Sequence, residues 1–391
     1  MRVLMLTQTT PYLPTHERGR LAPAYLLAHL AARHAVAVIA PDARGETPAQ
    51  QAWAAAVAAG TTRVPSGRWR HPFTSTPAEG LTALRDAALR MVIEWAPDLV
   101  HLEGLQLAPL AGELPVPLVL SCRESGVRRA REARRLARGP QEWMRAHVDE
   151  RLETEWERRW LPAADACVVA SEHDRAILAE RVPVDRLAVI PPGIDETRYE
   201  HRRGSERARL LFAGNLGWPS HLDAARRLAT RVLPRVRRAV PGAELLVAGA
   251  GPLGALRALA ALPGVRVAGA TSDLRPSLWS ATVTLVPAEA APAVDAGILE
   301  SMAVGTPVVT APRCLSGLDH LLPDHHLRVA EGDAEMAEAA VHVIREPVLA
   351  ATLSANARQV VERRYTWAAV ARSWESLWLR TADTPASVVA A

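Results

Sequence analysis

The sequence predicts an α/β fold made of two doubly wound parallel sheets. Three observations predict it. Short apolar strands alternate with helices over the first half of the chain. The pattern breaks at Pro191-Pro192-Gly193-Ile194-Asp195 and a polar, Arg-rich run, Glu196–Arg209. It then restarts at Leu210 and repeats. Alternation at this spacing is the mark of parallel βαβ units, and the break has the composition of an interdomain linker. A chain of 391 residues is long enough for two complete cores.

In order, Arg2–Thr7 reads as a strand, Leu21–Arg33 as a helix and Ala35–Ala40 as a strand. Leu81–Glu94 reads as a helix, and Leu99–His101 and Leu118–Ser121 as strands. A long charged helical region follows, then strand Ala166–Ala170, a helix from His173 and strand Leu187–Ile190. These define an N-terminal domain over residues 1–195. The second domain, 207–365, holds strands Leu210–Ala213, Glu244–Ala248, Val265–Ala268, Thr282–Val286 and Val308–Thr310. Its helices are Leu222–Ala239, Gly251–Ala261 and one that carries Glu300. The last helix begins at Thr366, an N-cap residue type, and spaces Trp367, Trp374 and Trp378 as packing residues.

Composition narrows the function classes. With 49% hydrophobic and 23% charged residues the chain is of soluble globular type. A net charge of +4 is too mild to suggest nucleic acid, and no nucleic-acid partner is expected. All 46 basic residues are Arg, so a phosphate site here must draw on Arg, His or backbone N–H groups. Three scattered cysteines form neither a disulfide framework nor a zinc signature, and they fit a reducing cytoplasm. The apolar start is too short for a signal peptide, and no apolar run reaches membrane-spanning length.

Leu285–Thr310 carries the most information. It reads as a buried strand, a small-residue loop, a helix starting near Asp295 and a Gly-Thr-Pro turn into another strand. Glu300 is the one acid inside that helix, placed where open α/β sheets bind ligands. Gly249-Ala250-Gly251-Pro252-Leu253-Gly254 matches G-x-G-x-x-G, but no acid ends the next strand to hold a ribose. It is read mainly as a tight strand-to-helix turn, with NAD or FAD binding as the minor alternative.

Pro11–Gly19 and Phe212–Pro219 are glycine-bearing loops, each after the first strand of its domain, which would face each other across an interdomain cleft. His101 and Arg123 each stand at a predicted strand end facing that cleft. The run Arg128–Arg138 holds six arginines against one acid, and reads equally as a solvated helix face or as a patch for an anionic membrane surface.

The series MRVLMLTQTTPYLP, APDLVH, VVASEHD, VIPPGID, LLFAGNLGWPSHLDA, ELLVAGAGPLGAL, VRVAGATSDLRPSLWSATVTLVP, ILESMAVGTPVV and YTWAAVARSW spans nearly the whole chain. In order and spacing it resembles the retaining GT-B glycosyltransferases of family 4, the glycosyl transferases group 1. The resemblance implies two Rossmann-like domains facing across a cleft, with the C-terminal helix, 366–380, returning to the first. It further implies a nucleotide-sugar donor on the C-terminal domain and a glycan or lipid-linked acceptor on the N-terminal one. Glu300 would hold the ribose hydroxyls, which a carboxylate can accept in pairs. Ala270 and Thr271 would line the base pocket, while Gly19 and Gly214 would approach the diphosphate. Asn215, His221, Gly251 and Asp295 complete the donor-side candidates, and His101 and Arg123 are the catalytic ones. No metal or resident cofactor is implied. The GNLGWPSHLDA loop looks most like the exopolysaccharide and surface-glycan branch, which implies work in the cytoplasm at the inner membrane face.

The chain also departs from the family pattern. Where the family has a second Glu, eight residues before Glu300, stands Pro292, and the glycine-rich loop reads Ala293-Val294-Asp295-Ala296. Neutral residues and His221 occupy the Asn215–His221 stretch where Arg and Lys are expected, and Arg123 aligns with an expected His. Arg18, Arg20, Arg123, His221 and Arg275 are the available substitutes. Two readings therefore stand: an active, metal-independent retaining transferase, or a non-catalytic homologue that binds a nucleotide, glycan or protein partner.

Overall fold

The structure is a computed structural model that describes residues 1–15, 18–42, 46–68, 80–137, 139–202, 207–271, 273–287 and 296–383. The chain divides into two compact units, Met1–Pro191 with Trp367–Ala391, and Pro192–Thr366. Each unit is built on one parallel sheet.

In the first unit the strands are β1 (Arg2–Thr7), β2 (Ala35–Pro41), β3 (Gly60–Val64), β4 (Leu99–Glu103), β5 (Leu118–Arg123), β6 (Ala166–Val169) and β7 (Leu187–Val189). They lie in the order β3-β2-β1-β4-β5-β6-β7, all parallel. The middle strands are buried on both faces, which is why they read as continuous apolar runs. Two features escape the sequence pattern. The edge strand β3, GTTRV, is only partly buried, and the strand ending in His101 runs on to Glu103 with all five residues buried.

The final helix, Trp367–Ala382, belongs to this first unit. Trp367, Trp374 and Trp378 are buried in a core with Val3, Met5, Leu26, Leu30 and Val119. Trp367 stacks on Tyr25 with ring centroids 4.9 Å apart and planes 6° from parallel. The three tryptophans pack the second face of the sheet rather than offering a platform to a ligand.

In the second unit the strands are β8 (Arg209–Ala213), β9 (Glu244–Ala248), β10 (Val265–Gly269), β11 (Val283–Val286), β12 (Val308–Thr310) and β13 (Arg328–Val329). Their order, β10-β9-β8-β11-β12-β13, repeats the winding of the first unit, again all parallel. In both sheets the winding reverses beside the first strand: between β1 and β4, and between β8 and β11. At such a switch point neighbouring loops diverge and open a crevice beyond the carboxyl ends of the strands. Among the described residues no helix is long and apolar enough to cross a membrane.

Candidate active site

The second unit brings its predicted residues to one edge of its sheet. Gly214 and Asn215 follow β8, Gly251 follows β9, Ala270 and Thr271 follow β10, and Glu300 lies on the helix after β11, Ala296–Val304. The loop after β8 and the Glu300 helix flank the switch point directly. Asp295 and the Pro292 loop lie outside the described residues.

Packing explains the glycines of this edge. Gly249 has φ +144°, and a Cβ there would overlap the carbonyl oxygen of Gly214. A Cβ on Gly251 would sit 2.6 Å from that of Leu216. The G-x-G-x-x-G glycines thus let the turn after β9 slide under the loop after β8, whose Gly214 N–H donates to Ala248 O at 3.0 Å. Gly214 is needed because the His221 ring rests against it. Asn215 Oδ1 accepts from Gly217 N at 3.0 Å, so its side chain shapes its own turn.

The His221 ring is buried against Phe212 and Trp218, with centroids 6.3 and 5.1 Å away. It supports the loop from beneath instead of projecting from it. Arg275 is also committed: it pairs with Asp273 at 2.8 Å and donates to Arg198 O at 3.1 Å. Thr271 and Ala270 are exposed, and the Thr271 hydroxyl donates to Asp273 O at 2.6 Å.

Glu300 has a partner that the sequence did not suggest. The Tyr199 hydroxyl donates to Glu300 Oε1 at 3.0 Å, across 101 residues of chain. Burial and the neighbouring carboxylate both raise the phenol pKa far above its usual value, so Tyr199 stays a donor.

The first unit holds a buried relay. His101, expected at a strand end facing a cleft, lies inside β4 with 0% of its surface exposed. The strand continues past it because Leu102 and Glu103 are buried too. Trp378 Nε1 donates to His101 Nδ1 at 3.1 Å. Indole nitrogen can only donate, so the imidazole proton sits on Nε2, which donates to Glu103 Oε2 at 3.2 Å. Both His101 nitrogens are thus engaged in the core, one with Trp378 and one with Glu103.

Glu103 in turn holds Arg123, whose Nε and Nη2 donate to Oε1 at 2.6 and 2.5 Å. Burial opposes the ionised Glu103 carboxyl, but Arg123 and His101 outweigh it and bring the pKa down to about 2. Arg123 ends β5 at a register shift with φ +61°, a left-handed conformation costing a non-glycine residue about 1 kcal/mol. Its side chain remains 37% exposed. A strained residue at a strand's carboxyl end, held by a buried charge, presents a fixed cation.

The remaining candidates lie on helices of the first unit. Gly19 lies in the first turn of helix Arg18–Leu30. Arg20 is buried, donating to Thr10 O at 3.0 Å and pairing with Glu46 at 2.9 Å. The arginine run is largely an ion-pair lattice: Arg128 binds Asp174 and Glu124, Arg129 binds Glu153, Arg131 and Arg134 bind Glu150, and Arg135 binds Glu132. Because helices Gly126–Arg135 and Pro140–Trp160 pack together, these charges are compensated within the protein, which an uncompensated lipid patch would not be. The three cysteines are buried and none is in a disulfide.

The comparisons with known proteins agree with this architecture. Residues 24–198 match the family model for Glycosyltransferase Family 4, and residues 207–346 match that for Glycosyl transferases group 1. The chain belongs to this glycosyltransferase family. It is 26% identical to a glycogen synthase of Mycobacterium tuberculosis, over 97% of this chain and 94% of that protein. Among solved structures it is similar to the sucrose-phosphate synthase of Thermosynechococcus elongatus, with a TM-score of 0.70 at 17% identity over 97% of this chain and 99% of that one. It is also similar to Anabaena HepE in complex with UDP, with a TM-score of 0.64 at 14% identity over 97% and 100%. These likenesses establish the GT-B fold: two Rossmann-like units, as the paired sheets display.

Two residues that contact the candidate residues escaped sequence reasoning. Glu103 had a usable signal, an acid two residues beyond His101 in an otherwise apolar stretch, since buried acids require partners. Tyr199 had none, because its partner lies in a distant element.

Proposed function

We propose that this glycosyltransferase moves a hexose from a nucleoside diphosphate sugar to a glycan or lipid-linked acceptor, with retention at the anomeric carbon. The observation that carries this reading is Glu300, a carboxylate beside the switch point of the second sheet, oriented by Tyr199. Two acceptor oxygens on one fixed carboxylate suit the vicinal hydroxyls of a ribose. HepE, similar in fold, is described in complex with UDP and with UDP-glucose, which makes UDP the first nucleotide to try.

In this reading Arg123 contributes a fixed positive charge to the N-terminal share of the reaction, and Glu103 and His101 hold it there. Ala270 and Thr271 meet the base through their backbone. Transfer proceeds without a metal, in the cytoplasm, in the synthesis of surface polysaccharide.

The test is a thermal-shift panel with UDP, GDP, ADP, dTDP and CDP, with and without chelator, on the wild type and on Glu300→Ala. A ligand at about a hundred times its Kd adds roughly 2.7 kcal/mol, enough to raise the melting midpoint visibly. One nucleotide should shift the wild type, with or without chelator, and the variant should lose most of that shift. An unchanged shift in a folded Glu300→Ala variant removes the ribose role.

A second reading, binding without transfer, is favoured by one set of contacts. Arg20, Arg275 and His221, all candidate substitutes for the family's cations, are committed to internal partners. Loss of charge at the leaving diphosphate costs several kcal/mol of transition-state stabilisation. Release of UDP from UDP-glucose, with and without added acceptor glycans, separates the two readings.

A further inference from the structure

Tyr199 lies in the connection that opens the second unit, one residue beyond the short turn Glu196–Arg198. Such a segment has no strand or helix to hold it, yet here it is fastened on four sides. Arg275 donates to Arg198 O at 3.1 Å, and Arg358 donates to Tyr199 O at 2.6 Å. Trp279 Nε1 donates to Glu200 O at 3.0 Å, and the Arg202 N–H donates to Val304 O at 3.0 Å. The Tyr199 ring packs against a small core of Leu211, Leu278, Ala281 and Val304.

Arg358 is the informative member of this set. The same Nη1 that binds the Tyr199 carbonyl also donates to Ala303 O at 2.6 Å. Ala303 belongs to the helix that carries Glu300. One guanidinium therefore sets the main chain of Tyr199 against the main chain of the Glu300 helix. Its planar fork makes that register stiff in a way an ammonium would not. The phenol then closes the arrangement from the other side, onto the carboxylate itself.

We propose that Tyr199 is a positioning residue which holds the Glu300 carboxylate in the orientation that receives the ribose diol of a nucleoside diphosphate, with Arg358 setting its register. This rests on the donor reading above and deepens it. A glutamate has three side-chain torsions to fix, and a diol needs both of its hydroxyls met in one geometry. The phenol removes that freedom before the ligand arrives, which is how preorganisation raises affinity. The phenol is a neutral donor, so this contact itself adds no positive charge beside the carboxylate.

The experiment uses the nucleoside diphosphate that binds best in the panel, with UDP as the first choice, and its 2′,3′-dideoxy counterpart. Both are titrated into the wild type, Tyr199→Phe, Glu300→Gln and the double variant. Phe keeps the packed ring and removes only the hydroxyl, and dideoxynucleotide binding verifies that the site is folded. The full nucleotide should weaken roughly tenfold in Tyr199→Phe, the worth of a hydrogen bond to a charged group, while the dideoxy form is unchanged. The double variant should be no weaker than Glu300→Gln alone, since Tyr199 acts through Glu300. Two results overturn the proposal and leave the donor site standing: loss of ribose discrimination in Glu300→Gln but not in Tyr199→Phe, or equal weakening of both nucleotides in Tyr199→Phe. Glu300→Gln with discrimination intact, or a wild type that binds none of the panel, overturns the ribose reading first and this proposal with it.

Discussion

Replacing Glu103 by Gln keeps the shape of the side chain and removes the charge that Arg123 and His101 share. The Glu103 pKa moves from an ordinary 4.5 to about 2. That displacement, about 2.5 units at roughly 1.36 kcal/mol each, corresponds to about 3 kcal/mol of stability. Glu103 is 2% exposed and feels little solvent, but Arg123 is 37% exposed, so water screens part of the pair. The expected loss in Glu103→Gln at neutral pH is therefore nearer to 2 kcal/mol. The sign of the pH dependence follows from the lowered pKa. Stability from the ionised carboxylate is complete above about pH 4.5, and it drains away as the pH falls towards about 2. The wild type should lead the variant at about pH 7, and the gap should begin to narrow below about pH 4.5 and close only towards about pH 2. Urea unfolding followed by tryptophan emission reads this directly, because Trp156, Trp374 and Trp378 are buried in the same unit. At about 2–3 kcal/mol per molar urea, the midpoint should move by roughly 0.7–1 M. A gap under about 0.5 kcal/mol at neutral pH, or one undiminished at about pH 2, refutes the charge relay.

Further outcomes follow from the same contacts. Trp378→Phe removes the indole donor to His101 Nδ1 and should cost about 1–3 kcal/mol in the same urea assay. Within the G-x-G-x-x-G turn two glycines should behave oppositely. Gly249→Ala, at φ +144° and against Gly214, should lower the melting midpoint, whereas Gly254→Ala, with open space around it in helix Leu253–Ala260, should hold or raise it. Sedimentation with anionic vesicles at about 0.15 M salt should not exceed that with neutral vesicles, since Arg128, Arg129, Arg131, Arg134 and Arg135 are already paired.

Strands buried on both faces were legible because they leave long apolar runs, as in Arg2–Thr7 and Leu118–Ser121. The edge strand Gly60–Val64 was not, because a half-exposed strand of Gly, Thr and Arg carries no such run. His101 was misplaced for a related reason. A polar residue at the end of an apolar run looks like an exposed end, unless its partners are known, and Trp378 lies 277 residues away. The placement of Glu300 on a helix after a buried strand was legible from the pattern around it, whereas its contact with Tyr199, and that of Tyr199 with Arg358, join distant elements and were not. Charge was the least legible property. Counting arginines in Arg128–Arg138 shows where cations are, but not that Glu150 and Glu153 on the next helix meet them.

The return of Trp367–Ala382 to the first sheet also governs the order in which the protein can be made. On a ribosome β1 to β7 emerge first, but the helix that covers one face of their sheet emerges only after the entire second unit. Until then Val3, Met5, Val38 and Val119 have no Trp374 or Trp378 against them, and the His101 ring lacks its indole donor. The nascent first unit is thus an unfinished object with a sticky side for the time taken to synthesise the next 175 residues, Pro192–Thr366. Closing a loop of that length is slow and leaves apolar surface open to neighbours. Trp367–Ala382 therefore seals the first core only after the second unit has been made.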